Sequence, residues 1–159
     1  YVKDLHGAKN MYYQVNATYY SALGESDARL LLARAVQLFM PGKPQVWYLD
    51  LLAGTNDHDA VAQAGPGGHK EINRTNLSAE DAAARLAWPV VTRQLELLRF
   101  RSTFGAFGWD AACEVADTEP GRLLVTWRRD GRSATLDADL VAETFTITAT
   151  DADGTTRTV

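Results

Sequence analysis

Apolar residues follow two rhythms along this chain. Between Ser26 and Arg101 they recur every three to four positions, and from about Cys113 onward every second one. The first rhythm is that of helices burying one side, and the second that of strands burying one face. Ser26 to Met40 is predicted to be a helix. Ser26 caps it, and Leu30, Leu31, Ala33, Ala35, Leu38 and Phe39 form its apolar surface. Arg29, Arg34 and Gln37 mark its polar side, and Pro41-Gly42 ends it. Ser78 to Ala87 reads as a helix opened by a capping box with Asp81 in place of glutamate. Pro89 to Arg101 reads as another, with Pro89 at its first position, Val91, Leu95 and Leu98 on the apolar stripe, and Arg93, Glu96 and Arg99 on a solvated face.

One apolar run fits neither rhythm. In Gln45 to Leu52 the residues Val46, Trp47, Tyr48, Leu49, Leu51 and Leu52 do not alternate. This pattern predicts a strand covered on both faces, as in the centre of a parallel sheet flanked by helices. Ligands in such sheets sit beyond the carboxyl ends of the strands, so the turn from Gly54 onward is expected to face a site.

After Cys113 the alternation predicts strands. Leu123, Val125 and Trp127 form the inner positions of the first. Asp130-Gly131 then marks a tight hairpin, followed by Ala134, Leu136, Ala138 and Leu140, and then by Phe145, Ile147 and Ala149. A further turn is expected at Asp153-Gly154. The change of period puts a boundary near Gly105 to Trp109. The fold class expected is α/β: residues 1–107 as the helix–strand–helix end of a barrel, and residues 108–159 as a small antiparallel β-domain.

Two loops carry the polar chemistry. Residues 1–24 cluster Tyr12, Tyr13, Gln14, Asn16, Tyr19 and Tyr20 and are expected to be mostly loop, with a helical turn near Ala17. Tyrosines with amides suit sugar binding; equally, the rings suit packing with their hydroxyls in water. Residues 53–77 form a long loop, with a short helix expected from Asp57 to Ala64. Its His58, Asp59 and His69 match no metal-ligand spacing, so no metal is expected.

Composition changes the picture little. The chain has 159 residues, 46% of them hydrophobic and 23% charged, with a formal charge of −4, as befits a folded soluble protein without a basic patch for nucleic acid. No apolar run approaches a bilayer span, and no signal peptide is visible, so no membrane partner is expected. Cys113 is the single cysteine, which fits a cytoplasmic location. The opening at Tyr1 reads as the middle of a loop, so a piece of a longer protein is expected. No convincing carboxylate pair for glycoside chemistry is present; Asp50 is flanked by apolar residues, and Asp57 and Asp59 stand on a loop. No Ser-His-Asp set and no phosphate-binding glycine motif is found either.

Several segments do carry a family resemblance. Tyr13-Gln14-Val15-Asn16-Ala17-Thr18-Tyr19-Tyr20-Ser21-Ala22-Leu23-Gly24 resembles a characteristic segment of the sucrose phosphorylases. Leu32-Ala33-Arg34-Ala35, Pro41-Gly42, Pro44-Gln45-Val46, Leu52-Ala53-Gly54, Asn56-Asp57, Ile72-Asn73-Arg74 and Leu98-Arg99-Phe100-Arg101 follow in the same order. The resemblance covers about residues 10–108. The family belongs to the α-amylase clan, with a (β/α)8 barrel followed by an antiparallel domain. It implies that Gln45 to Leu52 is barrel strand eight and that the nucleophilic aspartate, acid/base glutamate and third aspartate lie upstream of Tyr1. The chain alone is then expected to be inactive and poorly soluble.

The implied reaction is a retaining double displacement, from sucrose and inorganic phosphate to α-glucose 1-phosphate and fructose, with no metal or organic cofactor. The resemblance assigns Tyr13 and Gln14 to fructose or phosphate. It places Lys70, with His69 as the alternative, where the family has an arginine on the bound glucose. Lysine keeps the charge but loses the two-pronged donor. Met11 stands where the family usually has an aspartate, so the acceptor stays open among sucrose, sucrose 6′-phosphate, glucosylglycerol and glucosylglycerate. A hydrolase of the same clan and a non-catalytic carbohydrate-binding module are the other readings. Homodimerisation of the parent is left open.

Overall fold

The computed structural model describes the backbone of residues 2–4 and 12–159 and the side chains of residues 15–159. In chain order the elements are β1 (Val2–Asp4), β2 (Tyr12–Val15), α1 (Tyr19–Ala22), α2 (Asp27–Phe39), α3 (Tyr48–Leu51), α4 (His58–Ala64), a 3-10 turn (Gly68–Asn73), α5 (Ala79–Leu86) and α6 (Pro89–Thr103). The strands β3 (Ala112–Val115), β4 (Arg122–Arg129), β5 (Arg132–Asp139), β6 (Thr144–Thr150) and β7 (Thr156–Thr158) follow. The chain divides into two compact units, Tyr1–Ser26 with Val46–Val91, and Asp27–Gln45 with Thr92–Val159. The division groups α2 with the sheet and falls inside α6, whereas the change of period in the sequence lies near residue 107.

The second unit is built on an antiparallel meander in the order β3-β4-β5-β6-β7. The Asp130-Gly131 turn joins β4 to β5, with both residues at positive φ and Arg129 paired with Arg132. Alternation buries Val125 and Trp127 of β4, Ala134, Leu136 and Ala138 of β5, and Ile147 and Ala149 of β6. Against them pack Leu32, Ala35, Leu38 and Phe39 of α2, Leu97 and Phe100 of α6, and Phe104 just beyond its end. Phe107 joins this core with its ring edge-on to Phe39 and Phe100, at centroid distances of 5.5 and 5.6 Å.

Arg34 departs from the expected polar side of α2. Its side chain is buried, its Nε–H donates to the Oε1 of buried Gln94 at 2.9 Å, and another of its nitrogens donates to Gln37. A guanidinium excluded from water needs such acceptors, and the helical period alone could not reveal that Gln94 would supply one.

The first unit holds the antiparallel pair β1-β2, the turns α1 and α3, α4, the 3-10 turn and α5. The strand expected over Gln45 to Leu52 is not formed. Residues 43–47 make no ladder, and Tyr48–Leu51 turns into a helix closed by Leu51 N–H to the Trp47 carbonyl and Leu52 N–H to the Tyr48 carbonyl, each at 3.0 Å. A central strand exists only through bonds to neighbours on both edges, and no described residues supply them. The run is also not covered on both faces: Leu49 is buried at 1%, while Trp47 and Tyr48 are 53% and 38% exposed. The opening segment, expected as loop, instead forms β2 before the helical turn α1.

Candidate functional site

The turns of the first unit converge on one stretch of main chain, residues 17–19. Asn56 follows the turn at Leu52–Gly54, and its Oδ1 accepts the N–H of Thr18 at 2.8 Å. The N–H of Asn56 donates in return to the hydroxyl of Ser21 at 2.9 Å. Asp50, inside α3, accepts the N–H of Tyr19 on Oδ1 at 2.8 Å. Asn73, at the end of the 3-10 turn, donates its Nδ2 to the carbonyl of Ala17 at 3.3 Å. Thr18 is fully buried, and its hydroxyl caps α1 by accepting the N–H of Ser21 at 3.2 Å. Buried peptide groups outside regular structure need such partners, and here side chains take the place of a ladder.

Asp57 ties the long loop together. Its N–H donates to the Ile72 carbonyl at 2.8 Å, Oδ1 accepts the N–H of Ala60 at the start of α4 at 2.8 Å, and Oδ2 accepts the Thr75 hydroxyl at 3.0 Å. The bond from the Ala60 amide, then that from Thr75, holds the Asp57 carboxyl below the ordinary range, because both stabilise the ionised form. The Tyr48 hydroxyl donates to the Thr75 carbonyl at 2.5 Å. Arg85 of α5 donates to the carbonyls of Leu52 and Ala53 at 3.1 and 3.3 Å, closing the turn from the other side. A polar cavity of about 380 Å³ opens beside this network, with Asn56, Asp57, His58, Asp59, Thr75 and Arg85 on its walls.

The residues predicted for the site are placed as follows. His69 and Lys70 lie on the 3-10 turn, both half-buried, and neither lines the cavity. The Nε2 atom of His69 is buried and has no hydrogen-bond partner among the described residues. This turn lies tight on α4: a Cβ on Gly68 would stand 2.4 Å from the Cβ of Ala64, so only glycine fits there. Tyr13 and Gln14 lie on β2, where the backbone of Gln14 pairs with Lys3; their side chains, and Met11, lie outside the described residues. His58, Asp59 and His69 do not converge: among the described residues no three His, Cys, Asp or Glu side chains could hold a metal ion.

Sequence reading missed the clamp of Asp50, Asn56 and Asn73. In the sequence Asp50 reads as a carboxylate flanked by apolar residues, and the two asparagines as polar positions of the long loop and letters of the resembling segments. The available signal was the choice of short polar side chains, which bond main chain from turns.

No protein-family profile matches the chain. Among curated proteins it is 60% identical over 150 residues to a sucrose 6(F)-phosphate phosphorylase of Ilumatobacter coccineus, covering 92% of this chain and 28% of that protein. It is 41% identical over 137 residues to a sucrose phosphorylase of Agrobacterium vitis, covering 86% and 27%. It is 38% identical over 146 residues to a glucosylglycerol phosphorylase of Marinobacter adhaerens, covering 91% and 30%. The crystal structure of a sucrose 6F-phosphate phosphorylase from Thermoanaerobacter thermosaccharolyticum matches with a TM-score of 0.91 and 34% identity, over 100% of this chain and 33% of that one. The chain thus spans between a quarter and a third of the length of these relatives. The fold class is accordingly α/β, with the five-stranded antiparallel sheet and its helices fitting the C-terminal β-domain of that phosphorylase. By sequence and by fold, the chain is homologous to the sucrose phosphorylases and corresponds to their C-terminal portion.

Proposed function

We propose that the protein to which this chain belongs is a retaining glycoside phosphorylase that transfers a glucosyl group from a sucrose-type glucoside to inorganic phosphate. The observation that carries this reading is the 60% identity to a sucrose 6(F)-phosphate phosphorylase across nearly the whole chain. The catalytic carboxylates belong to the part of the protein outside this chain, so the chain by itself is inactive. Residues 1–107 are assigned to the barrel and 108–159 to the C-terminal β-domain. Tyr13 and Gln14 serve the acceptor, and Lys70 or His69 meets the glucosyl group in place of an arginine; the buried Nε2 of His69, without a hydrogen-bond partner among the described residues, supports a role for that residue. The protein works in the cytoplasm; among the described residues no helix is long and apolar enough to cross a membrane.

Sucrose phosphorylated on its fructosyl O6 is favoured over sucrose itself. Identity to the sucrose 6(F)-phosphate phosphorylase is 60%, against 41% to the sucrose phosphorylase of Agrobacterium vitis. Met11 also removes a carboxylate from the acceptor loop, and with it the repulsion of a phosphorylated acceptor.

The test offers the complete enzyme sucrose and its 6-phosphate, each with and without inorganic phosphate. Release of glucose 1-phosphate that requires phosphate, faster from the phosphorylated sugar, is the expected result. Free glucose released at one rate regardless of phosphate makes the enzyme a hydrolase and overturns the reading.

A further inference from the structure

We propose that Asp50, Asn56 and Asn73 are positioning residues for the acceptor half of the reaction: they hold residues 17–19 and so set the end of β2, which carries Tyr13 and Gln14. This inference rests on the phosphorylase reading above and adds to it the residues that decide between phosphate and water. The three side chains come from three different turns, lying 31, 38 and 56 positions from the residues they bind. They meet a stretch one residue beyond β2, where Val15 is the last strand residue and Tyr13 and Gln14 precede it. Thr18 within this stretch is 0% exposed and Asn16, which joins it to β2, is 2% exposed, so its course is fixed by buried groups.

The polarity of the contacts matters more than their number. A backbone N–H can only donate and a carbonyl can only accept, so each partner decides which end of the carboxamide faces it. Asn56 must present its oxygen to Thr18, and Asn73 must present its nitrogen to Ala17. Aspartate can therefore replace Asn56 in this bond, because a carboxylate accepts. It cannot replace Asn73, because two oxygens would then face each other across a bond length. The same isosteric change should have opposite outcomes at two positions of one loop clamp.

The chemical consequence falls on the second half of the reaction. Phosphate is a bulky monoanion or dianion that must be oriented to attack the glucosyl group, whereas water needs little orientation. Loosening residues 17–19 should therefore raise KM for phosphate and the fraction of free glucose, while the rate of glucosyl transfer to water changes little.

The experiment measures the ratio of glucose 1-phosphate to glucose, and KM for phosphate, in the complete enzyme and in four variants: Asn56→Ala, Asn56→Asp, Asn73→Ala and Asn73→Asp. The two alanine variants are expected to lower the ratio about tenfold. Asn56→Asp is expected to restore most of it, and Asn73→Asp to restore none. Should Asn73→Asp fail to fold, the comparison of Asn56→Ala with Asn56→Asp decides alone. If the two aspartate variants behave alike, or if all variants lose phosphorolysis and hydrolysis in equal measure, the clamp is only structural and the proposal fails. A parent enzyme that forms no glucose 1-phosphate overturns the phosphorylase reading instead, and this one with it.

Discussion

The indole N–H of Trp127 donates to the backbone carbonyl of Phe39 at 2.8 Å, across 88 positions of sequence. Phe39 is the last residue of α2, so this bond satisfies one of the carbonyls that a helix leaves orphaned at its C-terminus. Trp127 is 5% exposed and its ring also packs, tilted by 57°, against that of Phe107 at a centroid distance of 5.8 Å. Replacing it with phenylalanine removes the bond and leaves a void. The expected cost is about 2 kcal/mol. Thermal unfolding of the complete enzyme should begin at a lower temperature, with kcat unchanged, because the residue belongs to the core of the sheet.

The buried Arg34 gives a sharper contrast. Gln94→Leu removes the acceptor of its Nε–H at a site where water cannot enter, since Gln94 is 0% and Arg34 1% exposed. The expected loss is about 2–3 kcal/mol. Gln94→Glu retains the acceptor and adds an opposite charge, so it should recover most of the stability in chemical denaturation. A leucine variant as stable as the parent would show that the guanidinium is satisfied elsewhere.

Arg122 and Asp137 make a two-pronged ion pair across β4 and β5, at 2.9 and 2.7 Å. The Arg122 hydrogen bond holds the Asp137 carboxyl below its ordinary range. Both side chains remain well exposed, 49% and 38%, so solvent and salt screen the pair. Asp137→Asn is expected to change stability by less than about 1 kcal/mol, and the difference should shrink further in high salt.

Asp57 leads to a pH dependence. Its carboxyl is held below the usual value of 3.8 by the Ala60 amide first and the Thr75 hydroxyl second. A folded value below the unfolded one means that the cap stabilises fully above 3.8 and is lost as pH falls through the lower folded value. Hydrogen-exchange protection of the Ala60 amide should therefore hold steady on acidification until pH passes below 3.8. A decline that sets in well above this value would show that another group controls the start of α4.

Much of this architecture is legible in the sequence because it depends on local chemistry. Ser78 accepts the N–H of Asp81 at 3.0 Å, the first half of the capping box read from those letters, while the Asp81 carboxylate accepts the Ser78 hydroxyl at 2.7 Å in place of the Ser78 backbone N–H. The Asp130-Gly131 hairpin and the alternating strands on either side of it follow for the same reason. What was not legible depends on partners distant in sequence. The apolar run at Gln45 to Leu52 looks like a strand, but strand pairing requires edges that the described residues do not supply. Arg34 has the residue type of a surface position, and only the arrival of Gln94 makes its burial tolerable. The clamp on residues 17–19 joins turns that hydrophobic periodicity does not relate.

The phosphorylase reading is tested most directly by following the complete enzyme with its glucosyl donor and inorganic phosphate by phosphorus and proton NMR. The expected result is consumption of phosphate in step with release of the fructosyl product, and a sugar phosphate whose anomeric proton carries the α configuration. Fructosyl product appearing while the phosphate signal stays constant, or a β-configured sugar phosphate, would contradict it.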